Sequence, residues 1–160
     1  MKRYLESFVR KDLDKKLILL SGPRQAGKTT LSRSLFPDSS VYLNFDRSAD
    51  QKVIRDEAWS RDSALVIFDE LHKMRSWKRW IKGVYDTEKN PPRLIVTGSA
   101  RMDVYKKGGD SLAGRHFSYR LHPLSLKEAW DAGLSKNPQT LLQQMLTTGG
   151  FPEPYLEGSE

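Results

Sequence analysis

Residues 22–29 read Gly-Pro-Arg-Gln-Ala-Gly-Lys-Thr. This stretch matches the phosphate-binding pattern G-x-x-x-x-G-K-[ST] in full, a pattern whose glycines let the backbone aim successive N–H groups at phosphate. The apolar run Lys16 to Ser21 precedes it, and a helical pattern follows. We therefore expect a loop between a strand and a helix, with the positive end of the helix facing the anion. A chance loop of this composition would lack both neighbours.

This loop predicts a site for ATP and Mg²⁺. Lys28 is expected to reach the β- and γ-phosphates, and the hydroxyl of Thr29 is expected to bind Mg²⁺. The nucleotide-binding residues predicted from the loop and the start of its helix are Gly22, Pro23, Arg24, Gln25, Ala26, Gly27, Lys28, Thr29 and Thr30.

A second predicted strand delivers two carboxylates. The apolar residues Leu65 to Phe68 are followed by Asp69 and Glu70, and parallel strands bind ligands at their carboxyl ends. Asp69 suits Mg²⁺, because a hard cation prefers oxygen ligands. Glu70 is placed to polarise the water that attacks the γ-phosphate. The alternative is that Asp69 and Glu70 are only the solvated end of a strand, and the presence of the phosphate-binding loop in the same chain makes this alternative less favoured.

Two weaker candidates complete the predicted catalytic set. Thr97 and Ser99 stand at the end of an apolar run, where either hydroxyl could bond the γ-phosphate or the attacking water; small polar residues there are also common turn formers. Arg115 could neutralise charge in the transition state, with an ordinary surface arginine as the alternative.

Apolar runs of strand length alternate with helical patterns along the chain. Strands are predicted at Lys16–Ser21, Ser40–Phe45, Ala64–Phe68, Leu94–Thr97 and His116–Leu121. One helix is expected to bury a stripe formed by Trp77, Trp80, Ile81, Val84 and Tyr85. Strands that are apolar on both faces and joined by helices predict an α/β fold, a parallel sheet between two helical layers.

The last part of the chain predicts helices. Ser125 and Glu128 have the spacing of a capping box, which opens a helix to about Ala132, where Gly133 would end it. A further helix is predicted over Thr140–Thr147, and the Gly-Gly-Phe-Pro sequence at residues 149–152 breaks it.

Composition sets the class of protein. A length of 160 residues is about one domain. With no cysteine, disulfides and thiolate metal sites are excluded, which fits a reducing compartment. We find no signal peptide and no apolar run of membrane-spanning length, so we expect a cytoplasmic protein without a membrane span. The net charge of +7 favours polyanion partners, although a basic surface can serve solubility alone.

The segment from His72 to Lys82 mixes basic residues with Trp77 and Trp80, a combination that could grip a nucleic-acid backbone and stack its bases. Helical spacing favours the other interpretation, in which both tryptophans are buried and the basic groups form a solvated outer face. The histidines, His72 among them, lack the spacing of metal ligands.

The ordered motifs GPRQAGKT, LNFD, DE, TGSA, SLAGR, PLSLKEAW and GGFPEP extend over nearly the whole chain. In this the chain resembles the prokaryotic AAA-type ATPase family whose ATPase domain precedes a C-terminal domain of unknown function. The resemblance implies a three-layer P-loop NTPase of the additional-strand type, with strand order 5-1-4-3-2. It also implies Lys28 and Thr29 on phosphate and Mg²⁺, Asp69 on Mg²⁺, Glu70 as base and Ser99 as sensor.

Two departures from the family pattern affect the expectations. Leu71-His72 stands where the family usually has Ile-Gln, and the chain stops at Glu160 where members continue into a second domain. We expect one AAA-type domain over 1–160, with an N-terminal helical segment (1–15), a nucleotide-binding core (16–123) and a C-terminal helical segment (124–160) that leads to a missing domain.

These observations support two hypotheses of different classes. The first is an ATPase that uses Mg-ATP to switch a conformation or a partner, and the second is a nucleotide-regulated nucleic-acid-binding module. Phosphotransfer to a small molecule is disfavoured, because the adjacent Asp69 and Glu70 fit water activation. Homo-oligomers, nucleic acid and an unknown protein are the partners we consider besides ATP.

Overall fold

The computed structural model describes residues 1–87, 92–99 and 112–158. Helices and strands alternate as far as the fourth strand, with a 3₁₀ turn after the third, and three helices follow the fifth strand in these ranges. The elements are α1 (Glu6–Leu13), β1 (Leu17–Ser21), α2 (Lys28–Leu35), β2 (Ser40–Asn44), α3 (Ser48–Arg55), β3 (Leu65–Asp69), the 3₁₀ turn (Leu71–Lys73), α4 (Trp77–Thr87), β4 (Arg93–Thr97), β5 (His116–Arg120), α5 (Leu126–Asp131), α6 (Pro138–Thr148) and α7 (Pro152–Glu157). Within these ranges, no helix combines the length and the apolar character that crossing a membrane requires.

The strands form one parallel sheet in the order β2-β3-β4-β1-β5. This confirms the predicted fold class and the predicted strand order, read from the opposite edge. Thr97 pairs in register with Leu20 of β1 and with Asp69 of β3. The carboxyl ends of these three central strands therefore meet at one edge of the sheet, which is where a doubly wound sheet binds its ligand.

Strand β3 shows why the sheet has helices on both faces. All five of its residues are buried, and their side chains alternate between the two faces. Val66 and Phe68 join a core with residues of α3 and α4, whereas Leu65 and Ile67 join a core with residues of α1 and α2. The three-layer architecture follows from this continuous apolar run.

Helix α4 buries the predicted stripe. Trp77 is 6% exposed, and Ile81 and Val84 are buried beside it. Trp80 is partly buried, and its ring meets Phe68 edge to face with centroids 5.4 Å apart. The tryptophans thus belong to the core, as their helical spacing predicts.

The C-terminal helices pack around a small core of their own, formed by Leu124, Ala129, Leu141 and Tyr155. The predicted capping box is present: the Ser125 hydroxyl accepts from the N–H of Glu128, whose carboxylate accepts from the N–H of Ser125. The break after α6 is also confirmed. A short helix, α7, begins directly at Pro152, and the sequence analysis did not predict it, although proline suits a first helical turn.

Candidate functional site

The loop between β1 and α2 has the backbone that its glycines allow. Gly27, at the N-cap of α2, has φ = 90°, and Gly22 has φ = 152°. A Cβ atom on Gly22 would collide with the carbonyl oxygen of Leu121. Gln25 also has a positive φ, 61°, which is uncommon for a residue with a side chain. The loop therefore depends on glycine at its first and sixth positions.

Lys28 is held over this loop by the loop's own carbonyls. Its ammonium donates to the oxygen of Pro23 at 2.7 Å and to that of Gly22 at 3.1 Å. The side chain is only 8% exposed, and this burial lowers the pKa of Lys28, while Glu70 and Asp69 oppose the shift. The ammonium group of Lys28 is thus bound to two loop carbonyls, and phosphate oxygens can replace both of these hydrogen bonds.

Asp69 accepts hydrogen bonds from hydroxyls of three elements. Thr29 donates to Oδ2 at 2.9 Å, Tyr42 donates to the same oxygen at 2.6 Å, and Thr97 donates to Oδ1. Burial by itself would raise the pKa of Asp69, but the hydrogen bonds from Thr97, Tyr42 and Thr29 outweigh it, so the pKa lies below its usual range. The carboxylate stays charged beside the phosphate-binding loop.

The pKa of Tyr42 is shifted in the opposite direction to that of Asp69. Burial and its hydrogen bond to the Asp69 carboxylate raise the pKa of Tyr42 to about 12, so the phenol remains a donor at neutral pH. The guanidinium of Arg33 lies over the ring, 4.0 Å from its centroid.

Glu70 adopts a left-handed backbone conformation, with φ = 57° and ψ = 20°. Its N–H donates to the carbonyl of Thr97 at 3.1 Å, which turns the chain sharply at the sheet edge. Its carboxylate lies 3.3 Å from Nζ of Lys73 and 3.8 Å from Nε2 of His72. Burial lowers the pKa of His72 against the opposing charge of Glu70. Residues with side chains that are held in this backbone conformation cluster at functional sites, and Glu70 is such a residue next to the phosphate loop.

The two hydroxyls at the end of β4 differ in position. Thr97 is fully buried and its hydroxyl is engaged by Asp69, whereas Ser99 is partly buried just beyond the strand. Ala100 and Ser111, which belong to the TGSA and SLAGR motifs, lie outside the described residues.

Arg115 is separated from the other predicted site residues. It precedes β5, whose His116 pairs with Leu17, the first residue of β1. Arg115 is therefore at the amino edge of the sheet, while the phosphate loop is at the carboxyl edge. Its Nε lies 2.6 Å from Oδ1 of Asp86, and this ion pair raises the pKa of Arg115. Within one subunit, Arg115 and the phosphate loop lie at opposite ends of the strands.

In the segment from His72 to Lys82, Trp77 lies in the core and the partly buried Trp80 packs against it, which favours the interpretation of both rings as packing residues. Two of its basic groups are engaged by acids: Lys73 lies 2.6 Å from Asp46, and Lys82 lies 3.5 Å from Asp86.

Two residues with a part in the site were missed from the sequence. Tyr42 was predicted only as part of a strand. It is two residues from Asn44, so the two side chains share a face of β2, and Asn44 pairs with Asp69; the two-residue spacing could have placed Tyr42 near the site. Arg3 is buried against the phosphate loop, and its Nη1 donates to the carbonyl of Ala26 at 2.7 Å. A lone arginine ahead of the first helix gives no spacing signal.

The oxygen groups at the sheet edge fit Mg²⁺ held mainly by phosphates and water. Among residues 1–87, 92–99 and 112–158, no group of three or more histidines and acids could hold a metal ion alone. Thr29 and Asp69 bring one hydroxyl and one carboxylate within 2.9 Å of each other. Mg²⁺ typically uses one or two carboxylates together with substrate phosphates, so this sparse set suits a metal that arrives with a nucleotide.

Comparison with protein families gives a match to a model described as an AAA domain, over residues 14–130. Proteins described as uncharacterized in Mycobacterium bovis and Mycobacterium tuberculosis are each 33% identical over 143 residues, which is 87% of this chain. The chain spans 30% of the length of these curated relatives.

Solved structures share the fold at low identity. A signal transduction ATPase with a tetratricopeptide repeat sensor from Pyrococcus horikoshii superposes with a TM-score of 0.63 at 18% identity, covering 100% of this chain and 30% of that one. DnaA from Aquifex aeolicus bound to AMPPCP gives 0.63 at 12% identity, covering 94% and 57%. Orc1 from Aeropyrum pernix in complex with DNA gives 0.54 at 11% identity, covering 90% and 50%.

Replacing Gly22 by alanine tests the requirement for glycine at the start of the loop. Gly22→Ala should lower the free energy of unfolding by about 2 kcal/mol or more, because the new methyl meets the Leu121 carbonyl at an unfavourable φ. Gly83→Ala is the matched control: nothing lies within 4 Å of its Cβ position in α4, so it should stabilise by about 0.5–1 kcal/mol. Urea denaturation measures both, and equal effects would contradict the loop geometry.

Proposed function

The chain belongs to the AAA domain family and is an AAA-type ATPase domain, and from that premise we propose that it binds Mg-ATP at the carboxyl edge of its sheet and hydrolyses it. Hydrolysis would then switch a conformation or a partner. The observation that carries the proposal is the 2.9 Å hydrogen bond from the Thr29 hydroxyl to the Asp69 carboxylate. It joins the phosphate loop to the acidic strand end, the pair of groups that a Mg²⁺–nucleotide complex requires.

Residues 22–29 bind the phosphates in this proposal. The N–H groups of the loop and the N-terminus of α2 offer positive partial charge, and the buried Lys28 exchanges its carbonyl partners for β- and γ-phosphate oxygens. Gly27 permits the turn into α2. Bound Mg²⁺, next to Thr29 and Asp69, would neutralise phosphate charge.

Glu70 acts on the water in this proposal. Its carboxylate accepts a proton from the water as the water oxygen forms a bond to the γ-phosphorus and the bond to the ADP oxygen breaks. The products are ADP and phosphate, and the proton returns to solvent. Nζ of Lys73 lies 3.3 Å from the Glu70 carboxylate and helps to hold that side chain in place. Ser99 is proposed as the hydroxyl that senses the γ-phosphate.

The use made of hydrolysis is a proposal about a longer protein, because the chain spans less than a third of its curated relatives. We propose that nucleotide state is passed through the C-terminal helices α5–α7 to a partner or a further domain. Loss of the γ-phosphate removes charge from beside Lys28 and so alters the loop that α2 follows.

Substitution of the loop lysine tests nucleotide binding. Lys28→Ala should weaken ATP affinity by at least about a hundredfold, since it removes a cation from beside several phosphate charges. Isothermal titration calorimetry measures the affinity. Lys127→Ala, which removes an exposed lysine paired with Asp131 on α5, is the control and should bind ATP as wild type does. Wild-type affinity in Lys28→Ala would refute the assignment.

Substitution of the proposed base separates binding from turnover. Glu70→Gln keeps the size and the hydrogen bonding of the side chain but cannot accept a proton, so ATP should still bind while the phosphate release rate falls roughly 10²–10⁴-fold. Glu57→Gln is a matched control, because Glu57 is exposed and has a similar positive φ, 51°. Full turnover in Glu70→Gln would exclude this residue as the base.

Mixing two variants tests whether Arg115 acts in the active site of a neighbouring subunit. Arg115 lies at the opposite edge of the sheet from the phosphate loop of its own subunit, so a catalytic role would require a second subunit. Arg115→Ala should bind ATP normally and hydrolyse it slowly. A mixture of Arg115→Ala with Glu70→Gln should then regain phosphate release, because one composite site holds both groups. Full activity of Arg115→Ala alone would remove Arg115 from the mechanism.

A further inference from the structure

Arg3 lies buried between the phosphate loop and the C-terminal part of the chain. It is 6% exposed, and its guanidinium donates in three directions. Nη1 donates to the carbonyl of Ala26 at 2.7 Å, Nη2 to the carbonyl of His122 at 2.7 Å, and Nε to Oε1 of Glu128 at 2.8 Å. One side chain therefore contacts the loop, the exit from β5 and helix α5.

Glu128 is itself fully engaged. It is 3% exposed; its Oε1 also accepts from the N–H of Tyr4 at 3.0 Å, and its Oε2 accepts from the N–H and the hydroxyl of Ser125. Burial would raise the pKa of Glu128, but the bonds from Arg3, Ser125 and Tyr4 outweigh it and lower the pKa. A buried ion pair often stabilises a fold no more than apolar groups of the same size would, so stability alone does not account for Arg3 and Glu128.

The contact at Ala26 acts on the orientation of the loop. A trans peptide is planar, with C=O and the following N–H pointing in opposite directions. When Arg3 holds the Ala26 oxygen, the N–H of Gly27 must point away from Arg3. Ala26 lies between Gln25 and Gly27, both with positive φ, so the bond from Arg3 restrains a peptide inside an unusual stretch of backbone.

The C-terminal helices are tied to the same point. The N–H of Leu124 donates to the carbonyl of Gly150 at 2.6 Å, and Gln25 donates to Glu153 of α7 at 3.2 Å. A Cβ atom on Gly27 would lie 3.3 Å from Nη1 of Arg3 and 3.9 Å from Cγ of Pro152. A change in the loop on nucleotide binding therefore meets Arg3 and α7 directly.

We propose that Arg3 is a positioning residue that sets the phosphate loop in its binding conformation and, through Glu128, couples that conformation to helices α5–α7. The coupling to nucleotide rests on the proposed function. Because coupling is reciprocal, a bound nucleotide should steady the C-terminal helices as much as those helices steady the loop. Ordering the loop in advance also lowers the cost of binding.

The test uses the whole chain and the double variant Arg3→Met/Glu128→Gln, which removes both buried charges and keeps one side-chain oxygen for the capping-box bond from the N–H of Ser125. Removing both charges leaves neither buried charge without its partner, so the double variant should lose less stability than Arg3→Met alone, as the unfolding midpoint measures. Affinity for a non-hydrolysable ATP analogue should fall about tenfold, because hydrogen bonds to charged groups no longer hold the loop. Arg93→Met, which breaks the 2.7 Å pair with Asp14 at the other edge of the sheet, should change neither.

Amide hydrogen exchange supplies the readout that a purely structural role would not move. In wild type the analogue should slow exchange in α6 and α7; in the folded double variant this slowing should be lost, and the amides of Gly27 and Lys28 should exchange faster even without nucleotide. Wild-type affinity and wild-type protection in the double variant would overturn the proposal.

Arg3→Lys gives a second route if the double variant does not fold. It keeps the charge but cannot reach three partners, so it should show weaker affinity and faster exchange at Gly27; full wild-type behaviour would reject the positioning role. If wild type binds no nucleotide, the proposed function fails, and unchanged exchange at Gly27 in these variants without nucleotide would separately reject Arg3 as the restraint on the loop.

Discussion

The convergence of three hydroxyls on the Asp69 carboxylate is the interaction on which the rest of the site depends. A carboxylate that is 6% exposed at the end of a buried strand must find hydrogen-bond donors. Thr29, Tyr42 and Thr97 supply them from α2, β2 and β4. Satisfying one buried charge thereby joins α2, the helix that follows the phosphate loop, to β3 and to the two strands beside β3.

The same arrangement leaves the nucleotide-free site with groups already pointing at the binding position. Lys28 and Asp69 each use partners that phosphate or metal can replace, the loop carbonyls for Lys28 and the Thr29 hydroxyl for Asp69. Because these groups are ordered before the ligand arrives, binding spends little free energy on ordering them. Two residues of the site with side chains, Gln25 in the loop and Glu70 beyond β3, adopt a positive φ.

Much of this could be read from the sequence, for physical reasons. A run of four apolar residues that ends in two acids favours a buried strand, and the loop motif requires a strand before it and a helix after it, so β1, α2 and β3 and the residues at their ends were predicted closely. The strand order came from the resemblance to a family. Arg3 was not predicted, because its partners Glu128 and His122 lie 125 and 119 residues away and only the folded chain brings them together. The position of Arg115 at the amino edge likewise depends on the register of β5 against β1.

The most direct test of the central claim is a crystal structure of the chain with Mg²⁺ and a non-hydrolysable ATP analogue. We expect the phosphates within residues 22–29, with Nζ of Lys28 moved from the carbonyls of Gly22 and Pro23 onto phosphate oxygens. We also expect a metal ion bound to the Thr29 hydroxyl with the Asp69 carboxylate beside it. A nucleotide bound elsewhere, or bound with Lys28 still on its loop carbonyls and no metal at Thr29, would contradict the account.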